Sequence, residues 1–364
     1  MLTTNNYRDI VLNKTPIIDV RSPNEYLKGY FYNAVNLPLM NDEERHLVGL
    51  CYKEKGSLPA VELGYKLVSG HERKERIAQW VKQIKNHPDT LICCSRGGLR
   101  SQITQEWIKD EIGLEIPYIE GGFKAFRNYL IDNLNPEVIK SNPIIITGNT
   151  GAGKTNLLIN FNNFINLEKL ANHRGSSFGH YLTPQPQQIT FENNLAYELI
   201  HHQNQQFKYL LLEDEGRNIG KSYLPRPLVD FFRTGELIIL DVPLQERVQN
   251  TLQEYVISSQ KDYLIYDKVN GIKLWYENIS DSIDKIQKRL GKEKHKRIKM
   301  ELELAYNKQI SNNDYSYHTN WIEIILKEYY DPMYNYQIKN TSRKIIFKGN
   351  FMETYQFIEN NYHK

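Results

Sequence analysis

Cysteine is scarce in this chain of 364 residues, which contains only three. A disulfide framework is therefore excluded, and we expect a reduced, cytoplasmic setting in which a functional cysteine is catalytic or metal-binding. Long hydrophobic runs are also missing, since the longest fall far short of the ~18 residues that a membrane-spanning helix needs. The first residues lack the apolar core of an export signal. We expect no membrane partner and no export.

A large charge of either sign is lacking too, because 46 basic and 43 acidic residues leave a net charge of +3. So small an excess does not by itself indicate a nucleic-acid partner, and the distribution of charge matters more than its sum. Hydrophobic residues make up 40% and charged residues 24%, which is typical of folded globular domains. At ~150 residues per domain, the length predicts two domains or three.

The chain divides near residues 133–142, where a segment rich in Asn and Pro interrupts the pattern of predicted strands and helices. We therefore expect domains at residues 1–136 and 137–364. In the first domain the pattern predicts strands at 16–20, 34–37, 90–94 and 118–119, with helices at 60–84 and 101–110. In the second it predicts strands at 143–147, 209–213 and 236–242, a helix from Lys154, and mostly helix after 243. The fold class is therefore α/β: a parallel α/β domain, then a second α/β domain with a helical C-terminal extension.

Cys94 ends an apolar strand and is followed by Ser-Arg-Gly-Gly-Leu-Arg and a helix. A loop of this length can direct backbone N–H groups at the sulfur, and the helix N-terminus adds positive potential. Both effects favour the thiolate, the nucleophilic form. We therefore expect Cys94 to be catalytic, with Arg96 and Arg100 supplying charge to an anion. Cys93 points to the other strand face and is expected in the core.

A phosphate-binding motif, G-x-x-x-x-G-K-T, spans residues 148–155 between a predicted strand and a helix. In such a P-loop the backbone N–H groups of a glycine-rich turn wrap a phosphate, while the lysine reaches the outer phosphate. The expected phosphate-binding residues are Gly148, Gly151, Gly153, Lys154 and Thr155. The Thr155 hydroxyl can also bind Mg²⁺, with Glu213 or Asp214 as the partner carboxylate.

Several other residues are candidates for binding anions or RNA. His173 and Arg174 beside a glycine form a possible anion-binding turn, although His173 could equally be a core histidine. Arg217 could contact a phosphate group or RNA, or form a surface salt bridge. Basic residues recur at spacings of three or four from Lys285 to Lys299, among them Lys288, Arg289 and Lys292. On one continuous helix they would form a cationic face suited to an RNA backbone, unless Gly291 breaks the helix.

A resemblance to rhodanese domains is carried by DVRSPNEY at 19–26 and NAVNLP at 33–38. The Cys94 loop lies where rhodaneses carry the cysteine that becomes a persulfide. A closer resemblance, to the tRNA 2-selenouridine synthase family, spans nearly the whole chain. It is carried by MNDEER at 40–45, CSRGGLRS at 94–101, GGFKA at 121–125, ANHRGSSFG at 171–179, EDEGRNIG at 213–220 and YYDP at 329–332. That family joins a rhodanese domain to a P-loop domain.

This resemblance implies a transferase that acts on tRNA, with no tightly bound cofactor. It implies conversion of wobble 2-thiouridine in tRNAs for Lys, Glu and Gln to 2-selenouridine, with geranyl diphosphate and selenophosphate as co-substrates. The P-loop would hold geranyl diphosphate, and Cys94 would carry selenium as a selanyl-cysteine or otherwise handle selenophosphate. The expected partners are the tRNA anticodon loop and the system that donates selenophosphate.

Three alternatives stay open at this point. A tRNA sulfurtransferase would use ATP at the P-loop and a persulfide on Cys94. A phosphatase or phosphate sensor would also match Cys-x5-Arg-Ser, although no His directly precedes Cys94. A non-enzymatic P-loop binding module with a degenerate rhodanese domain would leave the intact Cys94 unexplained.

Overall fold

The structure is a computed structural model that describes residues 1–363. Its strands are Thr3–Thr4 (β1), Ile17–Asp19 (β2), Ala34–Asn36 (β3), Leu91–Cys93 (β4), Tyr118–Ile119 (β5), Asn142–Thr147 (β6), Tyr209–Glu213 (β7), Asn218–Ile219 (β8), Ser222–Tyr223 (β9), Glu236–Leu240 (β10) and Ile345–Gly349 (β11). Its α-helices are Tyr7–Leu12 (α1), Pro23–Leu27 (α2), Asp42–Lys55 (α3), Ser57–Leu67 (α4), Gly70–Asn86 (α5), Leu99–Ile112 (α6), Gly122–Asp132 (α7), Lys154–Leu158 (α8), Leu167–Ala171 (α9), Gln188–Asn204 (α10), Arg226–Phe232 (α11), Leu244–Thr251 (α12), Ser259–Tyr266 (α13), Gly271–Leu290 (α14), Lys292–Asn312 (α15), His318–Ile325 (α16), Asp331–Lys339 (α17) and Phe351–Tyr362 (α18). A 3₁₀ turn covers Pro136–Val138, and π-helical turns cover Leu252–Ser258 and Leu326–Tyr330.

Residue contacts divide the chain into two compact units. The first consists of Met1–Ile139 and Pro186–Gln205, and the second of Lys140–Gln185 and Gln206–Lys364. Helix α10 therefore belongs to the first unit, although the chain order places it inside the expected domain 137–364. The reason is a set of long-range contacts: Asn193 on α10 accepts from Arg127 at 2.7 Å and donates to the Tyr30 carbonyl at 2.9 Å.

The sheet of the first unit has the strand order β1-β5-β4-β2-β3, with every pairing parallel. Its central strand, β4, is buried along its whole length. The helical stretch predicted at 60–84 is two helices, because the backbone is extended at Ser69 and left-handed at Gly70, with φ +55°. The parallel α/β class that the sequence indicated is confirmed.

The second unit contains a four-stranded parallel sheet in the order β11-β10-β6-β7. Strand β6 lies between β10 and β7, and its residues from Pro143 to Thr147 are buried. That environment explains its continuous apolar sequence. Strand β11 was not predicted, because its short, lysine-flanked run follows a region of helical pattern. As an edge strand it is only partly buried.

Helices follow β10, as the sequence predicted, and they enclose a core of their own. The buried residues of this core include Trp275, Ile283, Trp321 and Leu326. Of the two arrangements that the sequence left open for the basic segment, the structure has the break at Gly291. Gly291 has φ +86° and separates α14 from α15, and residues that carry a Cβ rarely adopt that backbone conformation.

Candidate active sites

Cys94 follows β4 at the carboxyl end of the first parallel sheet, the edge where α/β proteins bind ligands. The residue is only 3% exposed. Its neighbour Cys93 is fully buried, and burial raises the pKa of the Cys93 thiol well above its usual value. Cys93 is therefore a neutral core residue, as its place on the strand indicated. Cys51 lies half-buried on α3.

The loop after Cys94 is held by backbone contacts with a second glycine turn. A Cβ on Gly97 would lie 2.6 Å from the Ile119 carbonyl oxygen, and one on Gly122 would collide with the Cys94 carbonyl oxygen. Phe123 N–H donates to that carbonyl oxygen at 2.8 Å. Both glycines have positive φ. These contacts give the GGFKA segment a role that sequence reasoning had not assigned, which is to hold the cysteine loop.

Backbone N–H groups in this loop are free to bind an anion. Within residues 1–363, no hydrogen bond is found from the N–H groups of residues 95–98, and the N-terminus of the 14-residue helix α6 follows directly. Unpaired amides beside a helix N-terminus favour a negatively charged ligand. The loop therefore has the donors that a tetrahedral anion needs.

The two arginines of the loop differ in environment. Arg100 is bound to Glu25, with Nη1 2.5 Å from Oε2, and it also donates to the Ser95 hydroxyl at 2.7 Å. The sequence offered Arg100 as a free positive charge, but this ion pair neutralises it, so Arg100 orders the loop instead. Arg96 is exposed, and its side chain makes no hydrogen bond or ion pair within the part of the chain that the structure describes.

The P-loop connects β6 to α8 in the second unit. Gly151 and Gly153 have φ of +82° and +80°, and a Cβ on Gly148 would lie 2.7 Å from the Leu240 carbonyl oxygen. The N–H groups of residues 149–151 and of 153–155 make no hydrogen bond within residues 1–363. Lys154 Nζ donates to the Gly148 carbonyl at 3.0 Å, which folds its side chain back over the loop. The motif therefore has the geometry of a phosphate cradle.

Side chains from the helical region brace the P-loop, and sequence reasoning missed this role. Arg247 on α12 forms a two-pronged ion pair with Asp331, with both distances 2.8 Å. Asp331 also accepts from Asn149 at 2.6 Å, and Asn250 donates to the Gly151 carbonyl at 2.9 Å. The only signal in the sequence is the YYDP segment, which belongs to the family resemblance and has no role assigned by it.

Carboxylates from three segments converge beside the P-loop. The Thr155 hydroxyl donates to Glu213 at 2.8 Å, and carboxylate oxygens of Glu168, Glu213 and Glu215 lie within 4.8 Å of one another. Hydroxyl and carboxylate oxygens are the ligands that Mg²⁺ prefers, so this donor set fits the ion. Asp214 does not join the cluster, because it forms an ion pair with Arg343 at 2.8 Å. Of the two carboxylates that the sequence offered, Glu213 is therefore the one that lies beside Thr155.

Burial raises the pKa of all three carboxyl groups in this cluster, and neighbouring carboxylates raise the pKa of Glu168 and Glu215 further. Lys154 opposes each shift. Three buried acids this close repel one another when ionised, and a bound cation relieves that repulsion. The mutual repulsion of the carboxylates and the set of oxygen ligands therefore both favour a bound cation at this position.

The other proposed anion contacts lie in different surroundings. His173 is 4% exposed, and burial lowers its pKa to about 4, so the imidazole is neutral at pH 7. Its environment is that of a core histidine. Arg174 pairs with Glu254 at 3.1 Å and stacks on Tyr181. Arg217 is exposed near the Tyr223 ring.

The basic residues around Gly291 divide into paired and unpaired groups. Lys299 pairs with Asp284 at 3.0 Å, while Lys294 and Arg297 pair with Glu328 at 3.3 and 3.4 Å. Five others are exposed and form no ion pair within residues 1–363: Lys285, Lys288, Arg289, Lys292 and Lys296. The unpaired basic residues therefore form a small patch at the α14–α15 turn, and the long face that a continuous helix would have given is absent from the described residues. We call Lys288, Arg289 and Lys292 the basic turn.

The fold and the two sites define a protein in which a rhodanese-like domain precedes a P-loop domain. Family profiles agree: the Rhodanese-like domain matches residues 5–129, and the tRNA 2-selenouridine synthase AAA domain matches residues 141–364. The chain belongs to the tRNA 2-selenouridine synthase family, which confirms the resemblance seen in the sequence.

Similar proteins named tRNA 2-selenouridine synthase occur in several bacteria. That of Sulfurovum sp. (strain NBC37-1) is 46% identical over 356 residues, covering 98% of each chain. That of Shewanella frigidimarina (strain NCIMB 400) is 42% identical, covering 99% of this chain and 98% of the relative. That of Cupriavidus pinatubonensis (strain JMP 134 / LMG 1197) is 41% identical over 95% of each. None of the helices in residues 1–363 has the length and apolar character that a membrane crossing requires.

Proposed function

We propose that this protein is a transferase that converts 2-thiouridine in tRNA to 2-selenouridine. The names of its relatives support this function. The structural observation that carries it is the pairing, in one chain, of a cysteine in a loop of free amides with a separate cradle for a diphosphate. Two such sites suit a reaction in which one step releases diphosphate and another uses a tetrahedral anion.

The first step is geranyl transfer at the P-loop. The sulfur of 2-thiouridine attacks C1 of geranyl diphosphate, the C1–O bond breaks, diphosphate leaves, and N3 of the base loses its proton. Lys154 and the free N–H groups of the loop stabilise the charge that develops on the leaving diphosphate. Thr155 and Glu213 would hold Mg²⁺, with Glu168 and Glu215 beside them, and the ion would supply further positive charge.

The second step is selenation, which we assign to the Cys94 loop. Selenium from selenophosphate bonds to C2 of the base, the C2–S bond breaks, and the phosphoryl group passes from selenium to water. The protons that selenophosphate and water release return N3 of the base to its protonated form and convert the departing geranylthiolate to geranylthiol. The free amides of the loop bind the tetrahedral end of selenophosphate, and the Cys94 thiol gives a proton to the departing geranylthiolate. Arg96 supplies positive charge, since Arg100 is neutralised by Glu25.

The tRNA substrate is bound through its anticodon loop, with the wobble uridine of tRNAs for Lys, Glu and Gln as the target. The basic turn contacts the RNA backbone, and such contacts make binding weaken as salt rises. The location is cytoplasmic, where tRNA and selenophosphate are available.

Mass spectrometry of nucleosides tests this function. Thiolated tRNA is incubated with the protein, geranyl diphosphate, selenophosphate and Mg²⁺, and each component is omitted in turn. We expect 2-selenouridine in the complete mixture and S-geranyl-2-thiouridine without selenophosphate. Formation of 2-selenouridine without geranyl diphosphate would refute the two-step order. A requirement for ATP with sulfur transfer would identify a sulfurtransferase instead.

A further inference from the structure

An apolar cavity of about 260 Å³ lies in the first unit, between helices α3, α4 and α6. Its walls are mostly aliphatic and aromatic, with Val48, Val61, Ile103 and Trp107 among them. Arg100 also reaches the wall, but its guanidinium is bonded to Glu25 and Ser95. Apart from Ser57 and the hydroxyl groups of Tyr52 and Tyr65, the lining offers a ligand mainly hydrophobic contact, which suits a hydrocarbon better than a polar group.

This cavity adjoins the Cys94 loop. Leu99 and Arg100, the first residues of α6 after the loop, form part of its wall. Leu39 and Trp107 line the cavity and also pack in the buried cluster that contains Cys94. A chain bound in the cavity would therefore have its end near the loop that carries the sulfur.

The rim of the cavity is apolar and open to solvent. Tyr52 is 61% exposed and Leu99 is 50% exposed, and both line the cavity. Large apolar side chains that surround an open cavity mark a binding site more often than a structural defect. An apolar cavity of about 150 Å³ is already enough to bind benzene, so this one accommodates a longer hydrocarbon.

We propose that this cavity binds the isoprenoid chain of S-geranyl-2-thiouridine while selenium replaces the geranylthiol. The proposal rests on the function proposed above and assigns the specificity of its second step. Contact with the hydrocarbon positions C2 of the base at the Cys94 loop. A uridine without the chain lacks that contact, so selenation selects the geranylated tRNA over the thiolated one.

Gly64 on α4 allows the cavity to be filled without strain. Its φ lies outside the left-handed region, and a Cβ there would meet only Val48 Cγ2, at an ordinary 3.8 Å. Leucine also favours a helix more than glycine does. Gly64→Leu therefore places a side chain in the cavity. Glu62→Leu is the matched control, because Glu62 is exposed on the same helix and does not line the cavity.

The first measurement is single-turnover selenation of tRNA that has already been geranylated. We expect Gly64→Leu to slow it about tenfold or more, because small changes in the size of an apolar pocket have effects of that order. Glu62→Leu should match the wild type, and both variants should geranylate thiolated tRNA normally. Wild-type selenation by Gly64→Leu, or an equal loss in both variants, would overturn the proposal.

The second measurement is calorimetric binding of the S-geranyl-2-thiouridine nucleoside, compared with its S-methyl analogue. The wild type and Glu62→Leu should bind the geranyl compound more tightly, and Gly64→Leu should lose this preference. Equal affinity of the wild type for both nucleosides would overturn the proposal. If the wild type shows the preference but selenates no tRNA, the chain-binding site is supported and the proposed function fails.

Discussion

The Cys94 loop and the P-loop are built alike and surrounded differently. Each follows a central strand of a parallel sheet, contains glycines with positive φ, and opens a helix. The first lies beside an apolar cavity, and its Arg100 is neutralised by Glu25. The second lies beside Lys154 and three carboxylates. The same backbone arrangement therefore serves different chemistry, which the surrounding side chains decide.

The loops also differ in what holds them. Glycine-to-glycine backbone contacts support the Cys94 loop, whereas the P-loop is braced by the side chains of Arg247, Asn250 and Asp331. A backbone contact is lost when a Cβ is added, and a side-chain brace is lost when a charge is removed. Different substitutions should therefore destabilise the two loops.

Loss of the sulfur should have the largest effect. Cys94→Ser should reduce selenation to background, because a hydroxyl is a far poorer proton donor than a thiol. Geranylation should continue, since that step is assigned to the other loop. Product analysis by mass spectrometry separates the two steps, and Cys51→Ser serves as the control. Equal loss of both steps would show that the loops do not divide the reaction.

Removal of the P-loop lysine should have the converse effect. Lys154→Ala should slow geranyl transfer about 100-fold or more, because a preorganised group that stabilises developing charge has effects of that size. Selenation of tRNA that is already geranylated should be unchanged. Rates of both reactions are compared with those of Lys169→Ala, which alters an exposed lysine on α9. Geranyl transfer at the normal rate would disprove the P-loop assignment.

Addition of one methyl group should disrupt the Cys94 loop. Gly122→Ala should lower the free energy of unfolding by about 3 kcal/mol, because left-handed backbone strain adds to a collision with Cys94. Gly113 also has positive φ, but nothing lies near its missing Cβ. Gly113→Ala should therefore cost only about 1 kcal/mol. Urea unfolding measures both, and equal losses would mean that the contact with Cys94 contributes nothing.

Breaking the brace of the P-loop should also cost stability. Asp331→Asn leaves Arg247, whose side chain is 5% exposed, without its ionic partner, and should lower the free energy of unfolding by about 3 kcal/mol. The exposed pair Arg226–Asp230 provides the control, since Asp230→Asn should cost less than about 1 kcal/mol. Similar losses in the two variants would contradict the bracing role.

Reversal of charge at the basic turn should have the smallest effect. Lys288, Arg289 and Lys292 changed to Glu should weaken tRNA binding and flatten its salt dependence, because fewer counterions are released. Lys74, Lys82 and Lys85, which are exposed in the first unit, give a control with the same change in net charge. Binding at several salt concentrations distinguishes the two sets, and equal effects would indicate a non-specific response to charge.

Several features could be predicted because they depend on neighbouring residues. The strands before Cys94 and before the P-loop, and the glycines of both loops, are visible as consecutive patterns. The break at Gly291 was recognisable as an alternative for the same reason. In contrast, the pairing of Arg100 with Glu25 joins residues 75 positions apart, and no local sequence pattern predicts it.

The sequence alone determined the two loops and the order of the two domains, because a short loop between a strand and a helix is specified by its own residues. Tertiary structure decided which carboxylates gather beside Thr155, which unit holds α10, and that an apolar cavity adjoins Cys94. These features arise from side chains brought together by the packing of distant segments. Packing depends on the shape and burial of the whole unit, which no local pattern contains.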